Sequence, residues 1–263
     1  MSVVDVSVAG GVARLTLNRP DKRNALDRES IELLTKALER SAEDPATRVV
    51  VLTGAGHAFS AGADLGEMRA QAQASAADNV AHARKLSHLL ATLDALPKPT
   101  VARVNGDGYG GALGLIAACD LVVLVEHARF AFTEVRLGII PAVISPFVLA
   151  RIGEHAARRY FLTAETMSAP ELRDIGLAHE VVAADALDAA CERYVQSLLR
   201  GAPGAQAAAK RLIRDMSPGA AANRLEASAE AALRLAQLRV GAEAQEGFNA
   251  FFEKRKPAWQ IEP

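Results

Sequence analysis

The chain lacks the features that would place it in several large functional classes. Its 30 basic and 31 acidic side chains nearly cancel, leaving a formal charge of −1, so no global field draws it to nucleic acid or an anionic membrane. Any anionic ligand must be met by local charges. The opening stretch MSVVDVSVAGGVARLTL has no basic leader and no unbroken apolar core, and no window reaches the roughly 18 apolar residues of a membrane span. A cytoplasmic protein with no membrane or nucleic-acid partner is expected. The two cysteines, Cys119 and Cys191, are far apart and outside any CxxC, which predicts buried free thiols over a disulfide or redox pair. The six histidines, His57, His82, His88, His127, His155 and His179, show neither HxxxH nor HExxH spacing, so no metal site is expected. There is no P-loop, and Ser60 lies outside any GxSxG elbow, leaving it the role of a helix cap or buried turn hydroxyl. The basic runs AAKRLIR (208–214) and EKRK (253–256) read as solvated faces, with phosphate contact as the other reading.

What is present is ample material for a core: 263 residues, 50% of them hydrophobic. Residues 3–9 and 12–17 alternate around Gly10-Gly11 as a hairpin. Asp27 can cap a helix whose apolar positions Ile31, Leu34, Leu38 and Ala42 recur until Asp44-Pro45. Short buried-strand patterns fall at 49–53, 100–104 and 121–125, with a further candidate at 129–132. Helices are expected at 64–69, at 80–96 before Pro97 and Pro99, from Gly111 to Ala118, and at 145–150 and 154–163. QAQASAAD at 71–78 is read as a mobile segment or, being alanine-rich, as more helix. Ser168-Ala-Pro-Glu171 is a capping box with proline in the first turn, and 185–247 is helical with breaks at 201–204 and Pro218-Gly219. An α/β amino-terminal core therefore continues into a helical extension, with no linker and no fixed-period repeat. Boundaries of 1–200 and 201–263 describe one continuous unit.

The chemistry concentrates in two glycine-rich turns that follow apolar strands: AFSAGADL at 58–65 and NGDGYGGALGL at 105–115. Ligands of open α/β sheets bind beyond the carboxyl ends of strands, where such turns expose backbone donors. Glycine lets a ligand approach the main chain, and a following helix adds the positive end of its dipole. Two such turns can aim two N–H groups at one oxygen, with Ala63 and Gly111 as the candidate donors and Glu134 as the candidate acid or base beside them. A tight turn with no ligand is the plain alternative for each. Gly106, Gly108 and Gly111 also spell GxGxxG, and Glu126 lies twenty residues past the first of them, the dinucleotide fingerprint of an NAD-dependent dehydrogenase. The short helix after it, and its place mid-chain, count against that reading.

Together AFSAGADL, VNGDGYGGALGLIAACD, ARFAFTEVRLGIIP and EGFNAFFEKRKPAW, preceded by NRPDKRNAL at 18–26, resemble the successive motifs of the enoyl-CoA hydratase/isomerase (crotonase) family over essentially the whole chain. The resemblance implies a spiral of ββα units with a C-terminal helical trimerisation region, assembled as a homotrimer or dimer of trimers. It also implies an acyl-CoA thioester substrate, with CoA entering as part of the substrate and no metal or redox cofactor. Ala63 and Gly111 match the family's oxyanion-hole positions, flanked by Gly110 and Thr133, and Glu134 its proton-exchanging carboxylate. Ala25, Ala61, Asp64 and Leu65 match positions around the adenine and pantetheine, while Lys22, Arg23 and Lys254 are placed to meet CoA phosphates.

One position departs from the pattern. Gly114 stands where typical hydratases carry a second glutamate, as in isomerases that shift a double bond from the 3 to the 2 position with a single carboxylate. EVRLGIIPAVISPFV and QEGFNAFFEKRKPAW further resemble bacterial methylglutaconyl-CoA hydratases, whose substrates are branched at carbon 3 and carry a second carboxylate. In that comparison Arg69 or Arg136 would hold the extra carboxylate, unless Arg136 is a structural ion-pair partner, and Tyr109 and Gly114 would border the acyl group. Hydration of a branched 2-enoyl-CoA such as 3-methylglutaconyl-CoA is the expected reaction. Double-bond isomerisation is the alternative on the same scaffold, and a non-catalytic acyl-CoA-binding protein is a different class that Glu134 argues against.

Overall fold

The computed structural model of the chain describes residues 2–217 and 242–259. Among the described residues ten strands form two sheets. The larger has the order β1 (Val4–Ala9), β2 (Val12–Leu17), β3 (Val49–Gly54), β5 (Thr100–Val104), β7 (Leu121–Val125) and β10 (Glu180–Val182). The smaller runs β4 (Ala58–Ser60), β6 (Asp107–Tyr109), β8 (Arg129–Ala131) and β9 (Met167–Ser168). Only β1–β2 and β8–β9 are antiparallel; all other neighbours are parallel. The helices are α1 (Arg28–Glu43), α2 (Leu65–Ala72), α3 (Ala76–Ala95), α4 (Gly111–Ala118), α5 (Ser145–Thr163), α6 (Ala169–Asp174), α7 (Leu187–Leu199), α8 (Pro203–Met216) and α9 (Ala242–Glu253).

The order repeats a ββα unit. In β3–β4–α2–α3, β5–β6–α4 and β7–β8–α5, each turn of the spiral gives one strand to each sheet before its helix. Every residue of β3, VVVLTG, is buried, as parallel strands covered on both faces must be. Asp27 caps α1 by accepting the Ser30 N–H, and Ile31, Leu34 and Leu38 turn inward. Gly153, at φ 67°, breaks α5 into the two pieces its sequence suggests. The Ser168–Glu171 capping box is formed in both directions.

Several details differ from the sequence pattern. The strands β4, β6, β9 and β10 carry no readable alternation, because two or three residues cannot display a period of two. Residues 71–78 are a capped junction between helices: Ser75 accepts the Asp78 N–H at 3.1 Å and α3 begins at Ala76, ahead of the expected residue 80. The basic run at 208–214 is not wholly solvated, since Lys210 pairs with Asp120 at 2.7 Å and donates to the Lys98 carbonyl at 3.1 Å. In the second basic run Arg255 is held by Glu246 at 2.6 Å. The break at 201–204 separates α7 from α8, whereas Pro218-Gly219 lies outside the described residues. Arg48, directly before β3, ties the α7–α8 break and the segment after α9 to the larger sheet, donating to the Gly201 and Trp259 carbonyls at 2.7 and 2.8 Å. Both cysteines are buried and free, and burial pushes the Cys119 thiol up to about 12.

Candidate active site

The two glycine turns meet. Gly62, at φ 82°, lies so close to the second turn that a Cβ there would run into the Tyr109 carbonyl and stand 3.5 Å from the Gly111 nitrogen. Gly110, at φ 51° and ψ −116°, caps α4 and puts Gly111 at its first position. The Gly111 N–H is thus one of the helix-start donors that have no carbonyl within their own helix. Ala63 is placed by a one-residue parallel bridge to Leu26: Leu26 N–H donates to Gly62 O at 2.7 Å and Asp64 N–H donates to Leu26 O at 3.1 Å. Because successive extended residues point their backbone groups to opposite sides, the Ala63 N–H is turned away from Leu26. Neither the Ala63 nor the Gly111 N–H donates to a protein acceptor among the described residues. Ala63 is exposed, so its donor can be reached by a ligand.

Glu134 opens the 3-10 turn Glu134–Leu137 behind Thr133. A Cβ at Gly110 would stand 3.2 Å from Glu134 Oε1, so the carboxyl faces the glycine that precedes the Gly111 donor. Its Oε2 is buried without a hydrogen-bond partner among the described residues. Burial pushes the Glu134 carboxyl above the ordinary carboxylate range, with its own backbone N–H opposing. A half-buried acid with one unpartnered oxygen beside two free N–H donors can exchange a proton with a carbon next to a polarised carbonyl.

The other candidate positions divide between the site's frame and its exposed rim, with Tyr109 half-buried between them. Ala25, Ala61 and Asp64 join the site's frame: Ala61 N–H donates to Arg23 O at 2.8 Å, and the Ala25 carbonyl accepts from Arg19 at 2.7 Å. Asp64 caps α2 through the Gly66 and Glu67 N–H groups and pairs with Arg19 at 3.0 Å, which holds its carboxyl below the usual range although burial opposes. Lys22, Arg23, Lys254 and Leu65 form the exposed group, Leu65 being 81% exposed. Arg69 and Arg136 are exposed too and enter no ion pair among the described residues, so no structural partner occupies Arg136. Tyr109 is half-buried, with its hydroxyl 3.4 Å from Asp107 and its pKa raised mainly by burial.

Gly114 requires a correction. It is buried, and a Cβ there would meet Ile144 and Leu90, so this turn of α4 is closely packed rather than open. The dinucleotide fingerprint fails on topology: residues 107–109, its second glycine included, are β6, Gly106 packs on the His57 backbone and Gly108 on the Phe130 ring. Ser60 is a buried turn hydroxyl that donates to Asn24 O at 2.8 Å and accepts the Gly62 N–H at 3.2 Å.

Two supporting residues escaped the sequence reading. Arg19 joins the caps of α1 and α2 by pairing with both Asp27, at 3.1 Å, and Asp64. Asn24, 1% exposed with φ 54°, donates to the Ala55 and Ala58 carbonyls at 2.8 Å each and accepts the Arg19 N–H. Both stand in NRPDKRNAL, where a polar cluster that is neither strand nor helix was the only available signal.

This pairing of a ββα spiral with two convergent backbone donors is the architecture of crotonase-type enzymes. The chain belongs to the enoyl-CoA hydratase/isomerase family, whose profile matches residues 7–262. A solved enoyl-CoA hydratase from Shewanella pealeana is 40% identical with a TM-score of 0.94, covering 98% of this chain and 96% of that one. The 2,3-dehydroadipyl-CoA hydratase of Escherichia coli is 34% identical over 98% of both chains. The (E)-benzylidenesuccinyl-CoA hydratase of Thauera aromatica is also 34% identical over 98% of both. Like these relatives, the chain is similar to enzymes of acyl-CoA thioesters. Among the described residues no helix is long and apolar enough to cross a membrane.

Proposed function

We propose that this enzyme adds water across the 2,3 double bond of a branched, carboxylate-bearing 2-enoyl-CoA, with 3-methylglutaconyl-CoA as the first substrate to test. The observation that carries the proposal is Glu134: a half-buried acid whose pKa burial raises, with a buried Oε2 that has no partner among the described residues and Oε1 facing Gly110. The thioester oxygen accepts from the Ala63 and Gly111 N–H groups. As water attacks carbon 3, its proton passes to the Glu134 carboxylate and the electron pair of the double bond moves to the thioester oxygen. The resulting enolate collapses, taking that proton from Glu134 at carbon 2. The carboxylate is regenerated, so a single acid suffices and no metal or redox cofactor enters the balance.

With Gly114 covered, the water is oriented by the substrate's own second carboxylate, which Arg69 or Arg136 would hold, neither forming an ion pair among the described residues. The names of the E. coli and T. aromatica relatives, a dehydroadipyl and a benzylidenesuccinyl thioester, put a free carboxylate on the substrates of those proteins. Lys22, Arg23 and Lys254, all exposed, are assigned to CoA phosphates, and Ala25, Ala61, Asp64 and Leu65 to the adenine and pantetheine. Gly110 and Thr133 complete the wall around the thioester, and Tyr109 borders the acyl group. The working unit is a homotrimer or dimer of trimers in the cytoplasm, with 201–263 as its assembly region.

One observation favours a second reading, isomerisation of a 3-enoyl-CoA to a 2-enoyl-CoA, because one carboxylate is all a proton shuttle needs. Incubation with 3-methylglutaconyl-CoA, crotonyl-CoA and a 3-enoyl-CoA, followed by product mass and conjugated-thioester absorbance, separates the two. Hydration adds the mass of water and isomerisation adds none. A conjugated product of unchanged mass from the 3-enoyl-CoA alone would overturn the hydratase assignment.

A further inference from the structure

Helix α4 carries the Gly111 donor at its first position and Gly114 one turn later on the same face. The place where a side chain at 114 would begin is already filled. A Cβ there would run into Ile144 Cγ2 and stand 3.0 Å from Ile144 Cβ and 3.2 Å from Leu90 Cδ1. Ile144 is only 2% exposed. It precedes α5, ten residues beyond Glu134, with its carbonyl accepting from the Phe147 and Val148 N–H groups at 3.1 Å each. Branching at Cβ leaves this side chain no rotamer that clears the contact, since Cβ itself is inside the tight range. A side chain at 114 therefore meets Ile144 directly, and one of the two must shift.

We propose that Ile144 is the positioning residue that sets this site to work with one carboxylate. Its side chain plugs the slot in which a second acid on α4 would stand, and it seats the loop carrying Glu134 against the helix carrying the Gly111 donor. Reaction type then depends on a pair of positions, Gly114 and Ile144, and not on Gly114 alone. This rests on Glu134 being the proton-transferring group, yet its steric half can be tested without catalysis.

The first test is a stability cycle in the full-length protein. Gly114→Ala is expected to lower the melting temperature in the parent and to lower it by much less, or not at all, in the Ile144→Gly background. Equal losses in both backgrounds would overturn the proposal. Glycine is accepted at the residue before a helix, so Ile144→Gly keeps the α5 start available. The second test is chemical. Gly114→Glu alone is expected to lose at least tenfold in turnover, whereas Gly114→Glu with Ile144→Gly should hydrate crotonyl-CoA at least tenfold faster than Ile144→Gly alone. Its pH–rate profile should also acquire a second carboxyl ionisation that the parent lacks. A folded double variant with the parent's profile, or a Gly114→Glu single variant as stable and active as the parent, would overturn the plug. Turnover that survives Glu134→Gln would instead overturn the one-carboxylate chemistry while leaving the stability cycle intact, so the two failures are distinguishable.

Discussion

Glu134 is asked to do two things that conflict, and the conflict has measurable signs. Burial raises its pKa, so the folded protein prefers the neutral acid. Ionising it costs stability: the cost appears as pH rises above the ordinary glutamate value of about 4.3, grows until the raised value is passed, and is constant beyond. Glu134→Gln removes that cost, so the variant is expected to melt no lower than the parent at pH 7–8 while turnover falls about 10²–10⁴-fold, the range of a lost general acid–base group. Calorimetry and a thioester assay on the same preparation check both; a large fall in melting temperature would mean that the carboxylate is structural. The proposed cycle starts from the carboxylate, which binds the water proton. Activity on the 2-enoyl-CoA should accordingly be lost as pH falls through the raised Glu134 value, with the acid limb of kcat displaced upward from about 4.3. An acid limb at or below the ordinary value would contradict a buried catalytic Glu134.

At the scale of elements, the catalytic geometry depends on how two glycine turns on different strands are pressed together. Gly62→Ala places a Cβ at φ 82° and against the Tyr109 carbonyl, which pushes the Ala63 turn away from Gly111. Loss of one oxyanion donor costs about 2.7–4 kcal/mol, so kcat should drop about 10²–10³-fold with a smaller change in KM. The loop at 18–26 is stitched beneath this junction by Asn24, and Asn24→Ala removes the donor to the part-buried Ala55 carbonyl and leaves the Ala58 carbonyl only its longer 3.4 Å bond from Asn105. A loss of about 1–3 kcal/mol per unsatisfied group is expected in denaturant unfolding, without a change in the pH profile. These elements also mark where the sequence speaks and where it falls silent. Strands β3, β5 and β7 announce themselves as apolar runs, α1 by its cap and spacing, and the donors by glycines that only a close backbone approach explains. Of the second sheet only β8 shows, as the candidate at 129–132; β4 and β6 are three residues each, and their existence is what turns an apparent dinucleotide loop into a ββα spiral. Gly114 shows as an absence in the motif; the cause of that absence, Ile144 thirty residues away, is a tertiary contact that no local pattern encodes.

For the whole molecule, the unpaid cost is apolar surface. Leu137, which ends the Glu134 turn, and Ile139 and Ile140 just after it are 58, 52 and 70% exposed, and Leu149 and Leu162 of α5 are exposed beside them. Val135, Ile140, Pro141, Leu149, Phe161 and Leu162 border a groove of about 430 Å³. Single exposed leucines are ordinary, but a contiguous apolar patch next to a catalytic loop marks an interaction surface. The occupant proposed is a second copy of this chain, a contact added to the one assigned to residues 201–263 in the homotrimer or dimer of trimers that the family resemblance implies. Light scattering should then give three or six times the 27.8 kDa chain mass. Leu137→Asp with Ile140→Asp puts charges into that contact without touching Glu134, and should lower the mass toward that of one chain. Because the patch continues from the 3-10 turn that carries Glu134, the dissociated variant should also lose turnover even where its secondary structure, read by circular dichroism, is retained. A charged double variant that keeps the parent's mass would place the assembly surface elsewhere on the molecule, and one that dissociates with full activity would show that each protomer holds its catalytic loop unaided.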